Sequence, residues 1–266
     1  MTESFDIAAL TYDEDFTESL TGQLQRKRVW KYLDQCLATN DHQHILEINC
    51  GTGEDALHMA QLGHVVTATD ISEQMLSVAR HKIGEKGLCP KVCLQKADMA
   101  RLEDLQGQHK YDLIFSNFGG VNCLAPKDME SLAAQASQLL KPGGKLVMVI
   151  MPRFCAWESL YFLLKGKWGE AFRRRKTHSM ANVSGEKVKT WYHSSRQIKS
   201  SFKSHFRAQR LRPIGLFGPP SYLEPLMRRN KALFHTLAGL ENTLALAGWQ
   251  ANLADHYYLE MEVKQA

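Results

Sequence analysis

Short runs of apolar residues alternate along this chain with longer segments in which apolar residues recur every three or four positions. The runs have the length of buried strands, and the longer segments have the period of amphipathic helices. Five such runs occupy residues 44–48, 65–70, 92–98, 111–116 and 145–150. Strands that alternate with helices predict an α/β fold, a doubly wound and mostly parallel sheet with helices on both faces.

Two of the intervening segments predict helices with recognisable starts. Residues 72–83 and 128–140 carry the helical period. Each begins with a side chain that can cap a helix N-terminus, Ser72 in the first and Asp128 in the second. Farther along, residues 207–214 predict a sixth strand.

Polar side chains stand at the ends of the first four strands, at Glu47, Asp70, Asp98 and Asn117. The carboxyl ends of parallel strands share one edge of the sheet, and ligands bind at that edge. A loop with two glycines follows Glu47 and opens a helix whose first N–H groups have no partner within the helix. The pattern predicts a site for a nucleotide or a nucleoside-like cofactor.

The same loop leaves a dinucleotide site open as an alternative. Gly51, Gly53 and Ala56 fit the fingerprint G-x-G-x-x-G/A, and Asp70 has the spacing of the acid that binds a ribose. An NAD-dependent oxidoreductase does not account for Glu47, for the acid that ends the third strand, or for the Pro-Gly-Gly turn before the fifth.

Residues 42–151 resemble the class I S-adenosylmethionine (SAM) dependent methyltransferase family. Glu47, Gly51 and Gly53 match the family pattern E-x-G-x-G-x-G, in which Asn49 replaces the first glycine. Asn tolerates a left-handed backbone better than other side chains do, so the replacement is mild. The resemblance implies SAM as cofactor, S-adenosylhomocysteine as product, and a Rossmann-like seven-stranded sheet whose last strand, near residues 256–263, is antiparallel.

The resemblance also implies roles for individual residues. The glycines would approach the methionine part of SAM, Asp70 would bind the ribose hydroxyls, and Ile71 would pack on the adenine. Asp98 would accept the adenine amino group beside the Met99 backbone. Tyr12 would close over SAM, with a role as a helix anchor as the alternative. The full set expected to contact the cofactor is Tyr12, Glu47, Asn49, Gly51, Gly53, Asp70, Ile71, Met75, Asp98, Met99, Asn117 and Phe118.

Four regions follow from these patterns: a helical lead-in at residues 1–40, the SAM-binding core at 41–151, a cap insertion after the fifth strand at 152–205, and the rest of the sheet with a helical insertion at 206–266. Within the cap, residues near 154–172 predict one helix with a broad apolar face. A strand is predicted over 188–193.

Charge is concentrated in one part of the chain. Residues 165–212 hold fourteen Lys or Arg and two acids, a charge of +12 that leaves −7 for the rest, because the whole chain is +5. We weigh three interpretations: a cap helix with a solvated basic end, docking to an anionic macromolecule, and interfacial contact with a membrane.

The cysteine content and the absence of long apolar runs indicate the cellular compartment that we expect. The six cysteines form no C-x-x-C pair, the start of the chain lacks the features of a signal peptide, and no apolar run reaches the ~18 residues that span a membrane. We therefore expect a cytoplasmic protein with reduced cysteines and no metal site. The sequence leaves its oligomeric state open.

The sequence thus predicts a methyltransferase that acts on oxygen or carbon of a small acceptor, anionic or bound to an acidic carrier protein. The loop Ser116–Gly119 lacks the Asn/Asp-Pro-Pro-Tyr/Phe motif of enzymes that methylate nucleic-acid amino groups. The alternatives are an RNA methyltransferase that uses the basic face of residues 165–212, a SAM-binding scaffold without catalysis, and the oxidoreductase. No catalytic residue stands out; His193 and His256 are weak candidates for a general base.

Overall fold

The structure is a computed structural model that describes residues 2–38, 42–105, 110–219 and 223–264. Its strands are β1 (His44–Ile48), β2 (Val65–Asp70), β3 (Val92–Lys96), β4 (Tyr111–Ser116), β5 (Leu140–Ile150), β6 (Ser179–Val183), β7 (Glu186–Thr190), β8 (Phe206–Ile214) and β9 (His256–Val263). Its α-helices are α1 (Thr2–Ala8), α2 (Leu20–Leu37), α3 (Glu54–Gln61), α4 (Glu73–Glu85), α5 (Met129–Leu139), α6 (Ala156–Leu164), α7 (Trp168–Ala171), α8 (Ser195–Phe202), α9 (Glu224–Arg229) and α10 (Lys231–Leu244).

Seven strands form one sheet in the order β3-β2-β1-β4-β5-β9-β8. Strands β1 to β5 pair in parallel, and β9 lies antiparallel between β5 and β8. The predicted mostly parallel, seven-stranded sheet is confirmed, and so is the antiparallel last strand. The strand order reverses between β1 and β4, which is where sheets of this kind bind ligands.

Helices cover both faces of the sheet, and β1 shows how the sequence directs them. Leu46 and Ile48 belong to one apolar cluster with residues of α5 and α8, and Ile45 belongs to another with residues of α2, α3 and α4. Side chains of a strand alternate between faces, so β1 is buried on both sides. By the same alternation, Glu47 faces the side of α2 and α3.

The two predicted helix starts differ in outcome. Ser72 caps α4 as predicted, because its side chain accepts a hydrogen bond from the Met75 backbone N–H at 3.1 Å. The prediction that Asp128 caps α5 is wrong, since its side chain makes no capping hydrogen bond. Pro126–Asp128 is already a turn of 3-10 helix that runs directly into α5, so Asp128 has helical backbone angles instead of the extended ones of a cap.

The segment after β5 departs from its two local predictions. The single helix expected near residues 154–172 is wrong: the chain bends at Gly166, where φ is +68°, and forms α6 and α7 instead. The expected strand at 188–193 is displaced, because β7 pairs with β6 in a two-stranded hairpin and ends at Thr190. The predicted boundary at residues 40 and 41 lies outside the described residues, and the other region boundaries stay predictions.

A buried carboxylate, that of Glu158, connects helix α6 to the arginines that follow α7. Glu158 on α6 is 2% exposed and accepts hydrogen bonds from Arg173 at 2.9 Å and from Arg174 at 3.0 Å. Arg174, which is also buried, donates to Asp255 beside β9 at 2.6 Å. Two arginines of the strongly basic region are therefore engaged inside the protein and are not available to a partner.

We expect the Glu158→Ala variant to be about 3–5 kcal/mol less stable, because the change leaves the buried Arg174 with one charge partner fewer. Urea unfolding measures the loss. Glu170→Ala removes an exposed acid of the neighbouring α7 and should change the free energy of unfolding by less than about 0.5 kcal/mol. Equal effects of the two substitutions would contradict the structural role of Glu158.

Candidate active site

A cavity of about 710 Å³ opens at the carboxyl ends of the parallel strands, where the strand order reverses. The loops that follow β1, β2, β3 and β4 form its base, while α1 and the β6–β7 hairpin lie over it. Ten of the twelve residues predicted to contact the cofactor line it: Tyr12, Asn49, Gly51, Asp70, Ile71, Met75, Asp98, Met99, Asn117 and Phe118.

The other two predicted residues lie outside the lining that the structure describes. Glu47 is 1% exposed, and burial, together with the charge of Asp55, raises the pKa of its carboxyl group well above the ordinary value. Gly53 has φ +82°, and a Cβ there would come 2.9 Å from the Cβ of Ala79 on α4. For both residues, contact with a cofactor stays a prediction.

Asp70 joins two loops at the edge of the cavity. Its Oδ2 accepts the backbone N–H of Gly51 at 2.9 Å, and its Oδ1 accepts that of Ser72 at 2.9 Å. Burial raises the pKa of Asp70, although these N–H groups counteract the rise. A carboxylate offers about four lone-pair sites, so Asp70 can still accept hydrogen bonds from two vicinal hydroxyls.

Asn49 explains how the loop works without the family's first glycine. Its φ is +60°, and its side-chain N–H donates to the Asn117 carbonyl at 2.9 Å while its Oδ1 accepts from the Ser116 hydroxyl at 2.6 Å. A Cβ on Gly120 would lie 2.1 Å from the Asn49 side chain. The amide therefore connects the loops after β1 and β4, and it requires glycine at position 120.

Asp55, in the first turn of α3, is a site residue that the sequence analysis missed. It accepts hydrogen bonds from Arg26 at 2.8 Å, Trp30 at 2.6 Å and Asn117 at 2.9 Å. Arg26 lines the cavity, with its guanidinium carbon 5.1 Å from the centre of the Phe118 ring. The only signal for Asp55 in the sequence was an acid at the start of the helix that follows the glycine loop.

The N-terminal segment closes one side of the cavity. Asp6 on α1 accepts a hydrogen bond from the Ser72 hydroxyl at 2.5 Å, and Asp13 accepts one from Thr52 at 2.7 Å. Tyr12 lines the cavity between these two contacts, and burial raises its pKa to about 12. Its phenol stays protonated at neutral pH and can donate a hydrogen bond.

One wall of the cavity carries a histidine that lies beside a carboxylate. His256 lines the wall, its ring centre 5.7 Å from that of Phe118, and its Nδ1 lies 3.2 Å from Oδ2 of Asp255. Asp255 also accepts from Arg174 at 2.6 Å and from Gln25 at 3.0 Å. Burial would raise the pKa of Asp255, but the neighbouring His256 side chain and the charge of Arg174 hold it well below its ordinary value.

His193, the other histidine candidate, has a different environment. It is 1% exposed, lies outside the cavity lining that the structure describes, and shares a 3.1 Å hydrogen bond between its Nε2 and the Leu124 carbonyl. Burial lowers its pKa. The surroundings of His193 are those of a structural side chain.

Comparison with known proteins identifies the domain. Residues 45–144 match a family model described as a methyltransferase domain. The O-methyltransferase cnsE of Penicillium expansum is 30% identical over 138 residues, 52% of this chain and 48% of that protein. A ubiquinone/menaquinone biosynthesis C-methyltransferase of Vibrio parahaemolyticus is 29% identical over 181 residues, 63% of this chain and 66% of that protein. This chain carries the domain of the class I SAM-dependent methyltransferases.

The fold agrees with this assignment beyond the matched segment. Magnesium protoporphyrin IX methyltransferase from Synechocystis PCC 6803, solved with bound S-adenosylhomocysteine, superposes with a TM-score of 0.59 over 92% of this chain and 86% of that one. The two sequences are 15% identical, so the likeness is one of fold. The chain spans about half the length of the first relatives that it matches.

SAM is the cofactor of this methyltransferase domain, and the cavity fits it. The Asp70 carboxylate lines the cavity, and its contact with the ribose stays a prediction. The Nε of Arg26 is buried at the same cavity without a hydrogen-bond partner. That donor suits an anionic group such as the methionine carboxylate. Among the described residues, no three His, Cys, Asp or Glu side chains are grouped to hold a metal ion.

We expect Gly120→Ala to lower the free energy of unfolding by about 1–3 kcal/mol, because the added methyl group collides with the Asn49 amide. Asn49→Gly alone should cost about 1–2 kcal/mol for its lost hydrogen bonds. In the Asn49→Gly background, Gly120→Ala should then cost less than about 0.5 kcal/mol. Urea unfolding of all four proteins checks this cycle, and additive effects would contradict the proposed contact.

Proposed function

We propose that this methyltransferase transfers the methyl group of SAM to an oxygen or carbon atom of a small-molecule acceptor, with His256 as the general base. The observation that carries the proposal is that Asp70 and His256 line the same cavity, where the His256 ring lies 5.7 Å from the Phe118 ring, centre to centre. SAM and a methyl acceptor bound together in this cavity would therefore have both the cofactor-binding residues and the His256 base within reach.

SAM supplies an electrophilic methyl group and a good leaving group, so that much of the catalysis can come from positioning. Asp70 and the backbone of Gly51 would hold the ribose and methionine ends, and Asp98 would accept a hydrogen bond from the adenine. Arg26 would pair with the methionine carboxylate, since Asp55 holds the arginine in place. Phe118, with φ +40°, would present its ring at the methyl-donor side.

The acceptor occupies the part of the cavity under the β6–β7 hairpin. That part is lined by Leu124, Met151, Val183 and Val188, which favour an apolar body. His256 takes the proton of the acceptor as the new bond to the methyl carbon forms, and Asp255 stabilises the resulting imidazolium. Both an acidic hydroxyl and an activated carbon acid lose a proton in this way, so the base serves either acceptor.

The names of two relatives and the distribution of charge bear on the identity of the acceptor. One relative is named an O-methyltransferase and another a C-methyltransferase, which supports both acceptor atoms. The exposed lysines and arginines of residues 165–212 favour an anionic acceptor or an acidic carrier protein. The same charges support RNA as a second candidate substrate, although Arg173 and Arg174 are already paired with Glu158.

Methyl-labelled SAM tests the function directly. The protein is incubated with separate small-molecule, protein and RNA fractions of a cell extract, and we expect label in the small-molecule fraction. Asp70→Ala should abolish the transfer, and in calorimetry it should weaken SAM binding by at least about tenfold, because charged hydrogen bonds are worth about 1.5–3 kcal/mol. NAD should not bind.

The outcomes of this experiment separate the alternatives. Label in RNA, with salt-sensitive RNA binding, would favour the RNA methyltransferase. SAM binding with no labelled product in any fraction would favour a scaffold without catalysis. Binding of NAD in place of SAM would overturn the proposal.

For the acceptor that labelling identifies, we expect His256→Gln to lower kcat by about 10²–10⁴-fold, the usual contribution of a general base. The rise of kcat with pH that deprotonation of the base produces should disappear, while SAM affinity stays unchanged. His193→Gln is the matched control, because His193 lies outside the described cavity lining; it should keep the pH profile. An unaltered profile in His256→Gln would exclude the base.

A further inference from the structure

A bent segment after β5 exposes two large apolar side chains outside the cavity. We call residues 160–176 the elbow; it comprises the end of α6, the turn at Gly166, α7 and the basic run that follows. Leu164 is 80% exposed and Trp168 is 69% exposed. All residues from 164 to 170 are exposed, so this part of the elbow projects from the protein.

The elbow is held in this outward position by contacts at its base. Arg173 bonds to the buried Glu158, and the hydroxyl of Ser159 donates to the Ala171 carbonyl at 2.7 Å. Ala171 is buried, while its neighbour Phe172 is 38% exposed. These contacts hold the base of the elbow in place, so Leu164 and Trp168 remain exposed at its tip.

Exposed positive charge surrounds this tip. Lys165 and Lys167 lie between Leu164 and Trp168 in the chain, and Arg175 and Lys176 follow; all four are exposed. Glu170 is the one acid in the elbow. Arg173 and Arg174 add less to this surface charge, because both are paired with the carboxylate of Glu158.

We propose that the elbow docks on the surface of an anionic phospholipid bilayer, with Leu164 and Trp168 inserted at headgroup level and the lysines paired with lipid phosphates. Trp and Leu beside Lys and Arg suit the membrane interface, and basic side chains near an anionic surface each strengthen binding. The apolar residues lie on a projecting bend, which suits insertion between headgroups better than it suits a flat protein interface. No helix among the described residues is both long and apolar enough to cross a bilayer.

A second exposed apolar pair offers a matched control. Trp249 is 71% exposed, close to the 69% of Trp168, and Leu246 is 51% exposed, against 80% for Leu164. Residues 240–255 contain no Lys or Arg. If exposed apolar area alone caused binding, both pairs would contribute; if the basic elbow is the docking element, only Leu164 and Trp168 will.

The test measures co-sedimentation of the full chain with vesicles of phosphatidylcholine alone and of phosphatidylcholine mixed with phosphatidylglycerol. We expect binding to the mixed vesicles that falls as salt is raised. Leu164→Ser/Trp168→Ala should weaken it at least about tenfold. Each of Lys165→Ala and Lys167→Ala should weaken it about fivefold. Leu246→Ser/Trp249→Ala should bind as the unaltered protein does.

Tryptophan fluorescence with bromine-labelled acyl chains locates the inserted side chain. Trp168→Phe should still bind the mixed vesicles but lose quenching, and Trp249→Phe should keep it. SAM affinity should be unchanged in every elbow variant, since residues 160–176 are not among the described cavity-lining residues, which shows that the variants are folded.

Three results would each overturn the proposal: no binding of the unaltered chain to mixed vesicles at low salt, equal binding to both vesicle types, or quenching that depends on Trp249. An acidic protein as the true partner would appear as the first of these.

Discussion

The buried carboxylate of Asp55 is the contact on which the cofactor end of the cavity depends. It accepts hydrogen bonds from Arg26 and Trp30 on α2 and from Asn117 after β4, while it belongs to α3 itself. Three separate parts of the chain are therefore held at one point. A carboxylate in the first turn of a helix is also stabilised by the unpaired N–H groups there. Without it, the buried Arg26 would lose its charged partner.

A second carboxylate, that of Asp255, holds separate parts of the chain together beside His256. Asp255 meets Gln25 of α2, Arg174 of the segment after β5, and the ring of His256. Gln25 and Arg26 are neighbours on α2, so a single helix contacts both carboxylates. Helix α2 therefore links the surroundings of Asp55 and Asp255. Arg174, which follows the exposed part of the elbow, contacts Asp255 beside the proposed base His256.

Much of the fold and of the cofactor end could be predicted because the signals are local. The five parallel strands follow from apolar runs of the right length, and the Ser72 cap follows from residue type and position. The acids at strand ends reach the cavity because parallel strands end at one edge. Glu47 is the exception, because it is buried and lies outside the described cavity lining. An acid at the end of an apolar run looks the same in the sequence whether its side chain enters the cavity or the interior.

By itself, the sequence determined the order of helices and strands, the glycine-bearing turns and the set of polar strand ends, since each depends on residues a few positions apart. Only the tertiary structure decided which distant groups meet. Arg174 and Asp255 are 81 residues apart, and the β6–β7 hairpin covers a site built from strands that precede it by more than sixty positions. Such contacts depend on how the helices pack on the sheet. Burial of apolar surface favours this packing but does not specify which polar side chains come together. Hydrogen-bond partners between distant segments are therefore determined only once the helices and the sheet are packed.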